Sequence, residues 1–475
     1  MLGASVYRFG RFTLDLNARQ LCYDGTPVPF SSAQFAILAL LVAKAPAMLP
    51  REELIESAWG RAPINENSLN KTIERVRRIL IKGGLDARCI ETLRQGGYRF
   101  TAAVQRVDHT TGALSNHRMA PFRAFMLGRQ ALRTLNSDAI ACALQDMEAT
   151  RQEQDADALA SLALACGLAF EATTIDKVPD FATLDRGIEH ARTAAAQNRQ
   201  SAYAWSVLAF VLHLKGIQEE AAFAVHMARA IGSLSWQPLT CIAYVTWGEE
   251  RILHGQHALD LCPNIALLHW LLTTVYIARG AEQAALERLR FGCAAQDAQV
   301  MPAAFPAVGL HLLHAMVLAS QNRLDEAEAA AKRELKWADS KQIYARECEA
   351  NTWYLLGAIA LRRGNRGAAE SAFTRTLTIA PAHVAARAIL RGTVPAENAA
   401  QRTYHGRFMD RALAQAIVLW RGNRHADAAR VYREFLVKAP PGSAGWSLPV
   451  EPLLNPLARP DDWGDVLAIL RSRAL

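Results

Sequence analysis

Between Asn67 and Lys82 the sequence sets Lys71, Arg75, Arg77, Arg78 and Lys82 against a single acid, Glu74. Lys71, Arg75 and Arg78 recur at spacings of four and three, which is one face of an α-helix. Leu69, Ile73, Val76 and Leu80 recur at the same spacings on another face, the one such a helix would bury. Aligned cations opposite an apolar stripe suit a polyanion, with Lys and Arg reaching phosphates and polar residues of the first turns reaching base edges. On this reading Ser68, Asn70 and Lys71 meet the ligand early in the helix, and Arg75 and Arg78 meet it later. The plain alternative is a solvated basic face, which is common on protein surfaces.

A second feature favours duplex DNA. Arg94-Gln95-Gly96-Gly97-Tyr98 sets an arginine beside a tight glycine turn. An arginine at the tip of a hairpin suits the negative potential of a narrow minor groove. Tyr98 and Phe100 alternate with Arg99, so one face of the returning strand goes back to a core.

These residues need elements to hold them. Residues 6–30 alternate as strands do, with Asp24-Gly25 as a hairpin turn. A helix begins at Ser31 or Ser32 as cap, carries Phe35, Leu38, Leu41 and Val42 on one face, and ends at Ala45-Pro46. A second helix runs from Arg51 to Trp59 and stops at Gly60. A polar loop containing Pro63 precedes the third helix, Asn67 to about Lys82, which ends at Gly83-Gly84. Strands Ile90–Arg94 and Tyr98–Ala102 close the domain.

Residues 6–104 resemble the winged-helix output domain of OmpR/PhoB-type response regulators. The resemblance rests on Ser68-Leu69…Ile73…Arg75-Val76-Arg77-Arg78…Leu80, followed by Ile90-Glu91-Thr92-Leu93-Arg94…Gly97-Tyr98-Arg99-Phe100. It implies base or phosphate contacts from Asn67, Lys71, Arg75 and Arg77, a phosphate contact from Thr92 and minor-groove insertion by Arg94. Tyr98 joins them, with Ser68, Asn70 and Arg78, as candidate DNA-binding residues. The resemblance further implies two copies on directly repeated half-sites, and contact with RNA polymerase through the loop from Gly60 to Glu66. Two positions depart from the pattern. Glu74 stands where a base is frequent, and Gln95 stands where a glycine usually follows the wing arginine. The chain begins almost directly with the winged-helix strands, which leaves no room before them for a phospho-acceptor domain. A winged helix followed by a long helical region is similar in order to one-component activators of the HilA type.

Residues 105–120 are polar, lack periodicity and read as a linker. From Pro121 to the end the pattern is helical and alanine-rich. A helix-pair repeat fits Trp353, Leu356, Gly357, Ala360, Ala369, Phe373 and Pro381, and again Ala412, Ala416, Leu419, Ala428, Tyr432 and Pro440. Looser units fall at Trp205–Val225, His269–Leu289 and His311–Ala331. Small residues at the Gly and Ala positions let paired helices approach, and large ones fill the gaps between repeats. A generic helical bundle is the alternative. The expected architecture is multidomain. An N-terminal α+β winged helix-turn-helix (1–104) precedes a linker (105–120) and a C-terminal all-α TPR-like superhelix (121–475).

Composition agrees with a folded, DNA-facing protein. The chain has 475 residues, 51% of them apolar, and a formal charge of +8. Residues 1–105 hold 14 Lys/Arg against 9 Asp/Glu and so carry most of that excess. The eight cysteines are scattered without a CxxC pair, as in a reduced cytoplasmic protein. The most apolar span, Ile265–Ala278, is too short to cross a bilayer, so no membrane anchor is expected. No GxxxxGK, GxSxG or HExxH motif is present. His254/His257 and His311/His314 lack partner ligands at metal spacing and read as packing or surface histidines. Neither catalysis nor a cofactor is expected. The sequence therefore points to a sequence-specific transcription regulator, an activator by the resemblance, whose helical region senses a ligand, binds a regulatory protein or peptide, or oligomerises. The competing reading is a repeat scaffold whose winged helix binds protein.

Overall fold

The computed structural model describes residues 6–15, 20–24, 26–28, 30–59, 66–93, 97–106, 125, 128–129, 131–150, 155–173, 179–232, 234–298, 305–394 and 409–475. It divides into two compact units, Met1–Ala124 and Phe125–Leu475.

The first unit opens with the hairpin β1 (Val6–Phe9) and β2 (Phe12–Asp15), which turns through Gly10 at φ +57°. Strands β3 (Gln20–Tyr23) and β4 (Thr26–Val28) form the next hairpin, with Tyr23 opposite Thr26 as the Asp24-Gly25 pair predicts. Helix α1 (Ser32–Ala43) has Ser31 as its cap. The Ser31 Oγ accepts from Gln34 N at 3.3 Å, and the Ser31 N–H donates to Gln34 Oε1 at 2.8 Å. Then follow β5 (Met48–Pro50), α2 (Arg51–Trp59), α3 (Glu66–Lys82), β6 (Ile90–Leu93), β7 (Gly97–Phe100) and β8 (Gln105–Arg106). One antiparallel sheet has the order β4-β3-β2-β1-β8, and the other has β5-β7-β6. Edge-on packing of Phe9 against Phe100 at 5.2 Å ties the two sheets together.

Two strands are absent from the sequence reading. β5 completes the wing sheet, and β8 pairs with β1 inside the stretch read as linker. Strands of two or three residues are too short to show alternation. The returning wing strand runs from Gly97 to Phe100 rather than from Tyr98 to Ala102, and Arg94, the expected end of the other, lies outside the described residues. Gly97 lies in β7 opposite Pro50, and a Cβ there would sit 2.5 Å from the Leu49 carbonyl oxygen. Close approach of β5 therefore requires this glycine.

The second unit is built of helices in antiparallel pairs. After α4 (Ser137–Ala149) come α5 (Ala156–Thr173) with α6 (Phe181–Gln197), α7 (Ala202–Lys215) with α8 (Gln218–Ala230), and α9 (Trp236–Val245) with α10 (Glu249–Leu261). Next are α11 (Ala266–Arg279) with α12 (Glu282–Asp297), α13 (Leu310–Ser320) with α14 (Leu324–Glu334), and α15 (Ala345–Arg362) with α16 (Arg366–Ile379). The unit ends with α17 (Val384–Arg391), the pair α18 (Asp410–Arg421) and α19 (His425–Lys438), and α20 (Pro460–Arg473).

All five repeat units read from the sequence fall on such pairs. The close-approach argument holds at Gly357, where a Cβ would lie 2.5 Å from the Phe373 ring. The pairs α5/α6 and α9/α10 escaped detection. In α5 and α6 the close contacts are made by Gly167 against Phe210 and Gly187 against Cys166.

Helix α5 bears on the membrane reading. Among the described residues it is the one helix long and apolar enough to cross a bilayer, and 72% of it is buried inside the protein. It is therefore a core helix here.

The segment 446–454 lies across the first helices of three successive pairs. Trp446 packs edge-on against Trp270 of α11 at 5.6 Å. Val450 is buried with Ile277 of α11 and Leu310, Leu313 and Val317 of α13. Glu451 accepts the Tyr354 hydroxyl of α15.

Candidate nucleic-acid interface

Helix α3 buries the stripe that its spacing predicts. Leu69, Ile73, Val76 and Leu80 are each fully buried in the core of the first unit. Opposite them Asn70, Lys71, Glu74, Arg75, Arg78 and Lys82 are exposed. Helical geometry places Lys71, Arg75, Arg78 and Lys82 within about 60° of one another, along about 16 Å of axis. Glu74 flanks this stripe and offsets part of its charge.

Four of the residues assigned to DNA also bond within the protein, in two pairs that join α3 to the wing. The Arg77 Nε donates to the Ile90 carbonyl at 2.9 Å, and Arg77 Nη2 donates to Thr92 Oγ1 at 2.7 Å. This half-buried guanidinium clamps α3 to β6. Thr92 remains exposed and accepts from Arg77, so its own hydroxyl proton is free to be donated outward. The Tyr98 side chain is 3% exposed, and its hydroxyl donates to Asn70 Oδ1 at 2.7 Å.

Two cations flank the Tyr98 ring, with Arg51 Cζ at 5.6 Å and Arg77 Cζ at 6.0 Å from its centroid. Nothing in the local sequence marks Arg51. Only the β5–β7 register, with Leu49 opposite Tyr98, brings the start of α2 beside this ring. Arg99 is occupied by Glu91 across the β6–β7 ladder, at 2.6 Å.

The remaining candidates are placed only in part. The Ser68 carbonyl accepts from Thr72 Oγ1 at 2.8 Å. Asn67 lies in the first turn of α3, and its side chain is outside the described residues. Arg94, Gln95 and Gly96 lie outside them too, as do residues 60–65 of the loop before α3.

The histidine pairs belong to the second unit. His311 is 1% exposed and its Nε2 lies 2.8 Å from Asp297 Oδ1. His254 is buried, and burial lowers its pKa. Among the described residues no group of three or more His, Cys, Asp or Glu could hold a metal ion. All eight cysteines are free.

Residues 25–100 match the family described as "Transcriptional regulatory protein, C terminal". Transcriptional regulator HilA of Salmonella typhimurium is 35% identical over 117 residues, 24% of this chain and 21% of HilA. YvcP of Bacillus subtilis, described as an uncharacterized transcriptional regulatory protein, is 28% identical over 96 residues, 20% of this chain and 40% of YvcP. The chain thus matches only about a fifth of the length of HilA. Among solved structures, the APC/C hetero-tetramer Cut9-Hcn1 is similar at 14% identity and a TM-score of 0.41, over 56% of this chain and 47% of that one. Mycobacterium tuberculosis EmbR, solved with a low affinity phosphopeptide, is similar at 18% identity and a TM-score of 0.17, over 54% and 65% of the two chains. Residues 25–100 of the N-terminal unit thus carry a match to an OmpR/PhoB-type domain, and helix pairs follow it in the chain.

Proposed function

We propose that this chain is a sequence-specific, DNA-binding transcription regulator with no catalytic step of its own. The observation that carries this reading is the exposed stripe Lys71, Arg75, Arg78 and Lys82 on a helix fixed to its wing through Arg77 and Thr92. A helix held this way enters the major groove as one rigid piece with the hairpin beside it. The stripe meets phosphates, Asn67, Ser68, Asn70 and Lys71 face the bases, and Arg94 enters the adjacent minor groove. Thr92 donates its free hydroxyl proton to a phosphate.

Two copies occupy directly repeated half-sites, and the loop from Gly60 to Glu66 touches RNA polymerase, which makes the protein an activator. The helix pairs take a protein or peptide partner. Segment 446–454 already covers the first helices of three pairs, so that partner uses surface the segment leaves open. The protein works in the cytoplasm without a membrane anchor.

The test is genome-wide mapping of bound DNA for the intact chain beside a Lys71→Ala, Arg94→Ala double variant. Discrete peaks sharing a repeated motif, lost in the variant, are expected. Absence of peaks, or peaks unchanged in the variant, would favour a scaffold whose winged helix binds protein.

A further inference from the structure

The hydrogen bond between Tyr98 and Asn70 fixes what Asn70 can offer a base. A free asparagine presents both a carbonyl oxygen and an NH2 group, and that pair matches adenine, which needs one acceptor and one donor. Here Oδ1 accepts from the Tyr98 hydroxyl at 2.7 Å, and Tyr98 is 3% exposed, so the oxygen is turned toward the protein. The flanking Arg51 and Arg77 guanidinium groups place positive charge beside the phenol and favour its hydroxyl as donor rather than acceptor. Asn70 itself is exposed, so the group left facing outward is Nδ2 with its two N–H donors.

We infer that Asn70 reads a guanine in the major groove and that Tyr98 is the positioning residue that makes it do so. Guanine is the base whose major-groove edge carries two adjacent acceptors, N7 and O6. This inference rests on the DNA-binding reading of α3. Tyr98 thereby acts on sequence choice without touching DNA, through the amide orientation that it imposes.

The test is selection of binding sites from random duplexes by the full chain, for wild type, Tyr98→Phe and Asn70→Ala. Tyr98→Phe removes one hydroxyl and keeps the ring between its two arginines. The wild type is expected to select a motif with guanine at one position. Tyr98→Phe is expected to lose that preference by about tenfold, with adenine gaining, while the other positions keep theirs. Asn70→Ala should erase preference at the same position. Replacing that guanine by 7-deazaguanine should weaken the wild type and leave Asn70→Ala unaffected.

Three results would overturn the inference. One is a motif left unchanged by both variants. Another is uniform weakening by Asn70→Ala with no change of preference, which assigns Asn70 to a phosphate oxygen. The third is a Tyr98→Phe chain that loses all binding while melting at the wild-type temperature. A wild-type chain that binds DNA but selects no motif, or binds none, defeats the DNA-reading proposal itself and this inference with it.

Discussion

Tyr354 donates its hydroxyl to the Glu451 carboxylate at 2.5 Å, across 97 positions of sequence. The bond joins α15 to the segment that covers the first helices of three pairs. Glu451 Oε2 also accepts from the Leu454 N–H at 2.5 Å, yet burial still dominates and pushes the Glu451 pKa up to about 7.

That shift makes stability depend on pH. An unfolded glutamate releases its proton near pH 4.5, whereas the native protein holds it to about pH 7. The native state therefore binds more protons across this window, and stability falls as pH rises through it. Glu451→Gln mimics the protonated form. It should flatten this part of the profile and exceed wild type at pH 8 by on the order of 2–3 kcal/mol. Denaturant melts at pH 5, 6.5 and 8 check this, and identical pH slopes for the two proteins would refute it.

Arg77 is expected to act on stability as well as on DNA. Arg77→Ala removes hydrogen bonds to Ile90 and Thr92 and should destabilise the first unit by roughly 1–3 kcal/mol. Affinity for all DNA sequences should drop with it, because α3 loses its clamp to the wing. Thr92→Val should show a smaller version of the same change, of about 1 kcal/mol. An Arg77→Ala protein with wild-type stability and weakened binding would instead make Arg77 a direct contact.

Lys71, Arg75 and Arg78 should act through counterion release. Each change to alanine is expected to reduce the slope of log affinity against log salt by about one. Glu74→Gln removes the acid flanking the stripe and should strengthen binding at low salt. Binding isotherms between 50 and 300 mM salt, about the range in which screening changes most, decide this. Unchanged slopes for all three cation variants would remove the stripe from the interface.

Gly357→Ala tests the helix pair α15/α16. The new methyl group would lie 2.5 Å from the Phe373 ring, and the pair would have to spread to admit it. A loss of about 1–3 kcal/mol is expected. Gly367→Ala is the control on α16, since a Cβ there has nothing within 4 Å. In that open helical position it should be neutral or stabilising by up to about 1 kcal/mol. Equal effects in thermal melts would defeat the packing argument.

Sequence alone determined whatever rests on periodicity. The four-and-three spacing of Leu69, Ile73, Val76 and Leu80 sets which face of α3 is buried, because a helix allows one answer to that spacing. That face in turn sets where Lys71, Arg75 and Arg78 point. A serine cap at the start of α1, and Gly357 with Phe373, were legible for the same reason, since a cap sits at a fixed place in a helix and the partner of Gly357 lies in the adjoining helix of its pair. Tertiary structure alone decided the pairings between distant segments. Arg77 finds Thr92, Tyr98 finds Asn70 and Arg51, and Tyr354 finds Glu451 only when strand register and helix stacking bring them together. Helix position marked Asn70, and the family resemblance marked Arg77, Thr92 and Tyr98, as polar groups that could meet DNA. Neither could show which of their hydrogen-bonding atoms the protein already uses, since that depends on what the fold sets beside them.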